Sequence, residues 1–335
     1  MKRIYRYMFM ALALVLGSSC NNEWEEEQFE HYISLKAPVN DKGYTQINVR
    51  YREGGIGRYQ LPVIVSGSTM SENDIAVRIK EDPDTLKAFN IARFSINNQG
   101  LFYEQLEESK YEFPETTVIK AGECVGLLNI NFKMKDLDMA QKWILPLTVV
   151  EDNGYQPNMR KNYRKALLRL IPFNDYSGKY STTTMQTFLC DEQGETSGSP
   201  IVVNNRNAYV VDDESVFFYA GAMSEDLPYD QRKLYVVKIR FNADNTLSLD
   251  APYKKEINFR VEDDAALTYS TFVIKDDTRP YIERRYVQIQ LTYYFSDITS
   301  AEAEQKKIHY KVTGTMLLER KINTQIPDED QQVEW

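Results

Sequence analysis

The chain has 335 residues, of which 42% are hydrophobic, and a formal net charge of −9 at pH 7. Its length suits two domains of ordinary size, and its hydrophobic content is sufficient for packed cores. Because the chain is acidic and has no runs of lysine and arginine, we do not expect a nucleic acid partner.

The N-terminal residues have the order of an export signal. A positive segment lies within residues 2–6, a short apolar run at 8–16 and small residues at 17–19. The apolar run is too short to span a bilayer, which takes about 20 residues. Cys20 follows at once, so the segment resembles a bacterial lipobox, although Gly17 stands where leucine is commonest. We predict a lipid on Cys20, with plain secretion as the alternative.

An acidic segment follows this anchor. Glutamates cluster at residues 23–27 and resemble the signal that sends such lipoproteins to the cell exterior; the alternative is a solvated tether. Removal of residues 1–19 would leave 316 residues (335 − 19) with a charge of about −12 (−9 − 3). We predict a tether over residues 20–30 and a protein held in the outer membrane by its lipid, facing the exterior.

The first domain is predicted to be a β-sandwich over residues 31–172. Apolar and polar residues alternate in four stretches, which indicates half-buried strands: residues 45–51, 60–67, 127–134 and 142–150. Between them, residues 84–93 predict a short helical crossover, and residues 101–109 a further turn of helix. Several short strands separated by turn signals are typical of an antiparallel sandwich.

Two cysteines remain after the anchor, Cys124 and Cys190. A disulfide between them would have to cross the predicted domain boundary. Cys124 shares its parity with Leu128 and Ile130, which predicts a buried free thiol that packs as a small hydrophobic group. We therefore expect no disulfide.

The second domain is predicted to be a β-barrel over residues 173–323. Roughly eight to ten aromatic-rich strands with short links suit a closed up-and-down barrel, which leaves no exposed edge. In one of them Val287, Ile289, Leu291, Tyr293 and Phe295 share a face. Residues 324–335 have no periodicity and are predicted to be a polar tail.

Both domains resemble a known class of protein. The sequences "YQLPVIVSGST", "IKAGE", "GLLNINF" and "WILPLTV" resemble an immunoglobulin-like domain of Bacteroidetes surface lipoproteins, found ahead of family-18 endo-glycosidases. The sequence "PFNDYSGKYS" resembles the entry to the lipocalin-like domain that often accompanies it. The resemblance implies an all-β chain, an immunoglobulin-like sandwich followed by a lipocalin-like barrel, from a polysaccharide utilisation system.

No catalytic centre is expected. The two histidines, His31 and His309, fall in separate domains, and the alternation predicts that His309 faces solvent. Neither a nucleophile elbow, a zinc-ligand spacing nor a glycine-rich phosphate loop occurs. We predict a protein that is not an enzyme and needs no metal or cofactor.

The expected role is non-catalytic capture of a glycan or oligosaccharide for a neighbouring importer and glycosidases. Sugar rings stack on exposed aromatic rings, and three tyrosines follow prolines in predicted loops. The candidate ligand-binding residues are Tyr229, Tyr253, Tyr281, Arg232 and Arg284, with Lys254 as a further hydrogen-bond donor. The alternatives are a carrier of a small apolar ligand inside the barrel, which bulky inward residues such as Phe218 oppose, and an interaction protein that docks to other surface lipoproteins.

Overall fold

A computed structural model describes residues 29–262, 265–300, 307–327, 331, 333 and 335. The predicted signal, the lipidation site at Cys20 and the tether up to residue 28 lie outside these residues. Strands predominate in the described part, and no helix there is long and apolar enough to cross a membrane. The all-β class, a sandwich followed by a barrel, is confirmed.

Two facing sheets form the first domain. Its strands are β1 (Tyr32–Leu35), β2 (Thr45–Arg50), β3 (Ile56–Val65), β4 (Ile75–Glu81), β5 (Glu104–Gln105), β6 (Tyr111–Glu112), β7 (Thr116–Ile119), β8 (Val125–Lys133), β9 (Trp143–Val149), β10 (Gln156–Pro157) and β11 (Lys165–Phe173). One sheet has the order β10-β1-β3-β8-β6, and the other the order β2-β11-β9-β4-β7 with β5 beside β9. The pairs β1–β10, β2–β11 and β5–β9 are parallel, so the sandwich is not purely antiparallel.

Alternation produces the sandwich core. Along β8, Leu128, Ile130 and Phe132 are fully buried while their neighbours are exposed. The period of two places every second side chain on the same face of a strand. The facing sheet supplies residues such as Leu145 and Leu147 to the same core.

The predicted crossover helix is confirmed as α1 (Pro83–Phe94). It begins at Asp82, whose carboxylate accepts the backbone N–H of Thr85, and proline at the first helical position needs no hydrogen-bond partner. The further helical turn predicted at residues 101–109 is only partly right. Single 3₁₀ turns lie at Gln99–Leu101 and Glu108–Lys110, and β5 lies between them.

Both cysteines are free, as expected, but the predicted burial of Cys124 is wrong because its side chain is exposed. β8 starts at Val125, so Cys124 belongs to the preceding turn. Strand parity does not extend into a turn, where successive side chains no longer alternate between two faces.

One curled sheet forms the second domain. Its strands are β12 (Gly178–Ser181), β13 (Gln186–Cys190), β14 (Thr196–Ile201), β15 (Asn205–Val210), β16 (Ser215–Tyr219), β17 (Val236–Phe241), β18 (Leu247–Asp250), β19 (Arg260–Val261), β20 (Thr268–Lys275), β21 (Ile282–Asp297) and β22 (Ile308–Asn323), with a short helix α2 (Tyr229–Arg232) before β17. The order runs β14-β13-β22-β12-β15-β16-β17-β18, and β21 joins β22 to β20 and β19. Closure of the curled sheet comes from a bridge between Thr246 and Thr268.

The barrel has two ends. Because neighbouring strands are antiparallel, the β15–β16, β17–β18 and β20–β21 turns share one end, which we call the mouth. The β16–β17, β18–β19 and β21–β22 connections share the opposite end, the far end. Bulky side chains fill the interior, as predicted: Phe218 and Tyr293 are fully buried and Phe295 is 2% exposed.

The two domains pack side by side. Val210 of β15 belongs to the core of the sandwich, and Trp143 of β9 contacts both cores. The predicted polar tail also takes part in packing: Trp335 stacks on Tyr209 of β15 at 5.6 Å and donates a 2.9 Å hydrogen bond to Asn48 of β2. Gln331 and Val333 are also buried, so the described residues of the tail pack against the protein.

Candidate functional site

A cleft of about 250 Å³ opens at the mouth of the barrel, where the first domain meets it. Barrel mouths and domain interfaces are the usual places for small-molecule sites. We call this cleft the mouth cleft and define it by Arg50, Asp175, Tyr176, Thr271, Arg285 and Arg320. It mixes charged, hydroxyl and aromatic groups.

Three adjacent strands form the barrel side of the cleft. Val273 of β20 pairs with Arg285 of β21, which pairs in turn with Arg320 of β22. Residues opposite one another in adjacent strands lie on the same face of a sheet. The next inward row, with Val287 and Leu318, is buried. The arginines therefore occupy the outermost layer of the barrel interior, above an apolar layer.

The first domain supplies the other side of the cleft. Arg50, at the end of β2, forms a 2.8 Å ion pair with Asp175, which follows β11. The guanidinium of Arg50 also lies 5.5 Å from the ring centre of Phe173, and that of Arg320 lies 5.7 Å from the same ring. Two cation–π contacts thus connect the sandwich to the barrel through a single phenylalanine.

Arg320 has a structural role in the cleft. It is 8% exposed, and it donates hydrogen bonds to the carbonyl oxygen of Asn174, at 2.7 Å, and to that of Ser177. Burial lowers the pKa of Arg320 to about 10, although the charge of Asp175 opposes the shift. The side chain is therefore still a cation at neutral pH.

The acid of the cleft is ionised at neutral pH. Burial alone would raise the pKa of Asp175, but its hydrogen bond to Arg50 and the charges of Arg50, Arg320 and Arg285 outweigh that effect and lower the pKa. Arg285 is the most accessible of these arginines, since half of its side chain is exposed, and it forms a 3.4 Å ion pair with Glu283. The cleft thus presents one carboxylate and an excess of guanidinium groups.

An aromatic pair borders the cleft on the edge strand. The rings of Phe272 in β20 and Tyr286 in β21 stack at 4.7 Å with an angle of 12° between their planes. Among the described residues, β20 pairs with β21 and makes only the bridge at Thr268 on its other side. Phe272 is 43% exposed, and because it alternates with Val273, its side chain lies on the outer face of the barrel at the rim of the cleft.

The structure separates the three tyrosines that the sequence suggested as one platform. Tyr281, 37% exposed, lies in the β20–β21 turn at the mouth, near Arg284, which pairs with Glu319 at 3.4 Å. Tyr229 and Tyr253 lie in connections at the far end. A single stacking surface made of all three is therefore wrong, because antiparallel connections alternate between the two ends of a barrel.

Arg232 is not a rim residue. Only 1% of it is exposed, and its guanidinium donates hydrogen bonds to Ala140, Leu227 and Gln141. Its prediction as a ligand-binding residue is wrong, since no part of the guanidinium faces solvent. Lys254 is exposed and pairs with Asp250 at 3.3 Å.

Tyr229 is committed to contacts within the protein. Its hydroxyl donates a 2.6 Å hydrogen bond to Asp138 of the first domain, and the ammonium of Lys233 lies 4.9 Å from its ring centre. Burial, the hydrogen bond to Asp138 and the charge of that carboxylate raise the pKa of Tyr229. The residue therefore joins the two domains.

Sequence reasoning missed the main residues of the mouth cleft. Arg50 and Asp175 are far apart in the chain, and nothing in either local sequence pointed to the other. A signal did exist for Phe272: in "TYSTFVIK" it shares its parity with the polar residues Thr268 and Ser270, which indicates the solvent-facing side of a strand. That pattern alone could have identified an exposed ring.

Comparison with known families and structures identifies relatives. The model of a domain of unknown function, DUF4973, matches residues 24–153, and the model of a C-terminal domain matches residues 164–317. No curated protein matches the chain.

Solved structures match over both domains. A multidomain protein including DUF1735 from Bacteroides ovatus is 46% identical with a TM-score of 0.81, and the match covers 91% of this chain and 100% of that one. An auxiliary nutrient binding protein from Bacteroides thetaiotaomicron is 36% identical with a TM-score of 0.78, over 92% of this chain and 100% of that one.

Proposed function

The chain belongs to the family of these Bacteroides proteins, with DUF4973 as its first domain, and from this we propose that it captures saccharides at the cell surface without cleaving them. A lipid on Cys20 would hold it in the outer membrane, facing outwards. An importer and glycosidases beside it would take up and process the captured glycan. The name of the relative from Bacteroides thetaiotaomicron, an auxiliary nutrient binding protein, supports this role.

The observation that carries the proposal is that the mouth cleft is lined both by the exposed Phe272 and by charged side chains. A sugar presents an apolar C–H face, which packs on an aromatic ring, and hydroxyl groups, which need hydrogen-bond partners. Phe272 supplies the ring. Arg285 supplies donors and Asp175 supplies acceptors within the same cleft.

The state of Asp175 favours binding over hydrolysis. Glycoside cleavage takes two carboxyl groups, one of which is protonated so that it can act as an acid. Asp175 is paired with Arg50 and has a lowered pKa, so it holds no proton at neutral pH. It is suited to accepting hydrogen bonds from sugar hydroxyls.

The filled barrel disfavours the alternative of an apolar ligand carrier. Tyr180, Phe218 and Tyr293 occupy the interior and are fully buried. An apolar ligand would have to displace these side chains, at the cost of their packing.

Affinity gel electrophoresis with a panel of soluble polysaccharides tests the proposal. We expect at least one polysaccharide to retard the protein, and Phe272→Ala and Arg285→Ala each to weaken binding about tenfold, or about 1.4 kcal/mol. Tyr163→Ala and Arg160→Ala are matched controls, because both residues are exposed and precede β11, whose opposite end at Phe173 borders the cleft. These controls should leave the retardation unchanged.

Three outcomes would contradict the proposal or a part of it. If no polysaccharide in a broad panel retards the protein, the interaction-protein alternative takes its place. If retardation persists undiminished in both cleft variants, the mouth cleft is not the site. Release of reducing sugar by the purified protein would contradict its non-catalytic part.

A further inference from the structure

A second pocket of about 470 Å³ lies at the far end of the barrel, opposite the mouth cleft. We call it the far-end pocket and define it by Cys190, Asn258, Arg260, Ser296, Lys307 and His309. β21 runs from the mouth at Ile282 to the far end at Asp297, and it contributes Arg285 to the mouth cleft and Tyr294 to the far-end pocket. They can therefore be tested independently.

Arg260 is held in place but forms no salt bridge within the part of the chain that the structure describes. Its guanidinium carbon lies 3.6 Å from the ring centre of Tyr294, a close cation–π contact. The nearby carboxylate of Glu262 is engaged elsewhere, since it accepts hydrogen bonds from Tyr294 at 2.9 Å and from Lys311 at 3.2 Å. Arg260 makes no hydrogen bond or ion pair with any described residue. Its N–H groups are thus available to a ligand.

The β13–β14 hairpin closes over this arginine. Gly194, at the tip of the hairpin, has a φ of +95°, and a Cβ at that position would lie 2.9 Å from Nη2 of Arg260 and 3.0 Å from Tyr294. Only glycine allows the backbone to approach so closely in this conformation. The guanidinium is therefore confined between an aromatic ring and a backbone turn, which fixes its orientation before any ligand binds.

His309 contributes a second oriented polar group. As predicted, it lies on the face of β22 opposite to the buried Val312, but it is half-buried there because it lines the pocket. Its Nδ1 lies 2.8 Å from the hydroxyl oxygen of Ser296, which fixes the ring. Its Nε2 has no partner among the described residues. Lys307, also at the pocket, adds a positive charge.

Two carboxylates of the pocket are available as hydrogen-bond acceptors for a ligand. Asp191 and Glu192 lie on its hairpin side. One carboxylate oxygen of Asp191 accepts backbone N–H groups of the turn, from Gln193 at 3.0 Å and Glu195 at 2.9 Å. The other oxygen and the carboxylate of Glu192 can accept hydrogen bonds from hydroxyl groups. A ligand that pairs with the positive groups and also donates hydrogen bonds to the carboxylates carries one negative group and several hydroxyls.

We propose that the far-end pocket binds a carboxylate-bearing sugar. Its planar carboxylate would pair with the N–H groups of Arg260, a geometry that guanidinium groups favour, with Lys307 adding charge. Its hydroxyl groups would donate to Asp191 and Glu192. This site is independent of the mouth cleft and stands whether or not that cleft binds a neutral glycan.

Isothermal titration calorimetry with sodium glucuronate tests this inference, with glucose, sodium acetate and sodium sulfate as comparison ligands. We expect glucuronate to bind at least tenfold more tightly than glucose, which lacks the carboxylate, and than acetate, which lacks the hydroxyls. Arg260→Gln should weaken glucuronate binding at least tenfold, and Lys307→Gln by a smaller factor. The matched control Arg58→Gln, on the exposed surface of the first domain, should bind glucuronate like the wild type.

Thermal unfolding of each variant separates lost binding from lost folding. Both Arg260 and Lys307 are exposed, and the loss of one exposed cation–π contact is worth about 1 kcal/mol or less, so their variants should unfold within about 4 °C of the wild type. The inference is overturned if Arg260→Gln, folded, keeps its glucuronate affinity or if glucose binds as tightly. Sulfate binding as tight as that of glucuronate would overturn the assignment of a carboxylate. Loss of binding in Arg285→Gln, with Arg260→Gln unaffected, would place the sugar in the mouth cleft instead.

Discussion

Arg232 of the second domain donates a 2.7 Å hydrogen bond from Nε to the carbonyl oxygen of Ala140 in the first. The same guanidinium donates to the side chain of Gln141 at 3.0 Å and to the carbonyl oxygen of Leu227 at 2.8 Å. All three of its nitrogens are thus satisfied, and the residue is 1% exposed. A single buried side chain therefore fixes the β16–β17 connection against the segment before β9.

Replacement of Arg232 by methionine should strongly destabilise the protein. The substitution keeps an apolar side chain but leaves buried acceptors without donors. A hydrogen bond to a charged group contributes about 1.5–3 kcal/mol, so we expect the free energy of unfolding to fall by about 3 kcal/mol. Urea unfolding followed by fluorescence measures the loss. The matched control is Arg240→Met, because Arg240 pairs with Glu214 at 3.0 Å while both side chains are 60% exposed. It should cost less than about 1 kcal/mol, and equal losses would show that Arg232 does not fix the interface.

Gly314 allows β22 to change partners. Thr313 pairs with Gln186 of β13, and Leu317 pairs with Ser181 of β12, so the switch occurs between them. Gly314 has a φ of +134°, and a Cβ there would collide with the carbonyl oxygen of Thr184. The chain that leaves β12 for β13 crosses β22 at this point.

Gly314→Ala should therefore lower the free energy of unfolding by about 3 kcal/mol, the sum of backbone strain and a steric clash. The matched control is Gly198→Ala, where φ is +72° and no atom lies within 4 Å of the added Cβ. The free energy of unfolding of this control should fall only by the cost of the backbone strain, about 1–2 kcal/mol. Thermal unfolding gives both values, and a Gly314 variant no less stable than the control would contradict the crossing.

Local periodicity predicted the strands and what they bury. Val287, Ile289 and Leu291 share a face because β21 is extended over its whole length, and all three are buried. The same logic failed for Cys124, since parity holds only within a strand and β8 begins one residue later. The parallel pairing of β2 with β11 also had no local signal, because register between distant segments depends on the whole core.

The candidate site could be predicted less well than the fold. A loop tyrosine after a proline is a reasonable surface group, but its sequence does not say at which end of a barrel it lies. Arg232 and its partner Ala140 are 92 residues apart, and Arg50 and Asp175 are 125 apart. Contacts of that range form only in the folded chain, so residue type and spacing could not distinguish a buried arginine from an exposed one.

Asp175 should make the free energy of unfolding depend on pH in the acidic range. Its pKa in the folded protein is lower than the ordinary value of 3.8 because Arg50, Arg320 and Arg285 outweigh its burial. A carboxyl group of this kind stabilises the fold above its unfolded pKa, and the contribution is lost as pH falls through the folded pKa. The gain is modest, less than about 1 kcal/mol, since the side chain is 63% exposed.

We therefore expect Asp175→Asn to destabilise the protein at neutral pH and to cost less at a pH of about 3, below the ordinary pKa of the carboxyl group. Urea unfolding at both pH values measures the difference. In an Arg50→Gln background the cost of Asp175→Asn at neutral pH should shrink, because the partner is gone. A cost that is the same at both pH values, or in both backgrounds, would mean that the ion pair does not stabilise the fold.

The two free thiols should differ in their reactivity. Cys124 lies exposed in the turn before β8, whereas Cys190 is half-buried beside the far-end pocket. Burial raises the pKa of Cys190, against the opposing charges of Arg260 and Lys311. Since the thiolate is the reactive form, Cys190 should react with Ellman's reagent more slowly at neutral pH, and its rate should continue to rise at higher pH.

Stopped-flow measurement on protein that begins after residue 20 should give a fast and a slow phase. Cys124→Ser should remove the fast phase, and Cys190→Ser the slow one. Urea should merge the two phases, because unfolding removes the burial that distinguishes the thiols. A fast phase that survives in Cys124→Ser would mean that Cys190 is open to solvent, and it would contradict the closure of the β13–β14 hairpin over this end of the barrel.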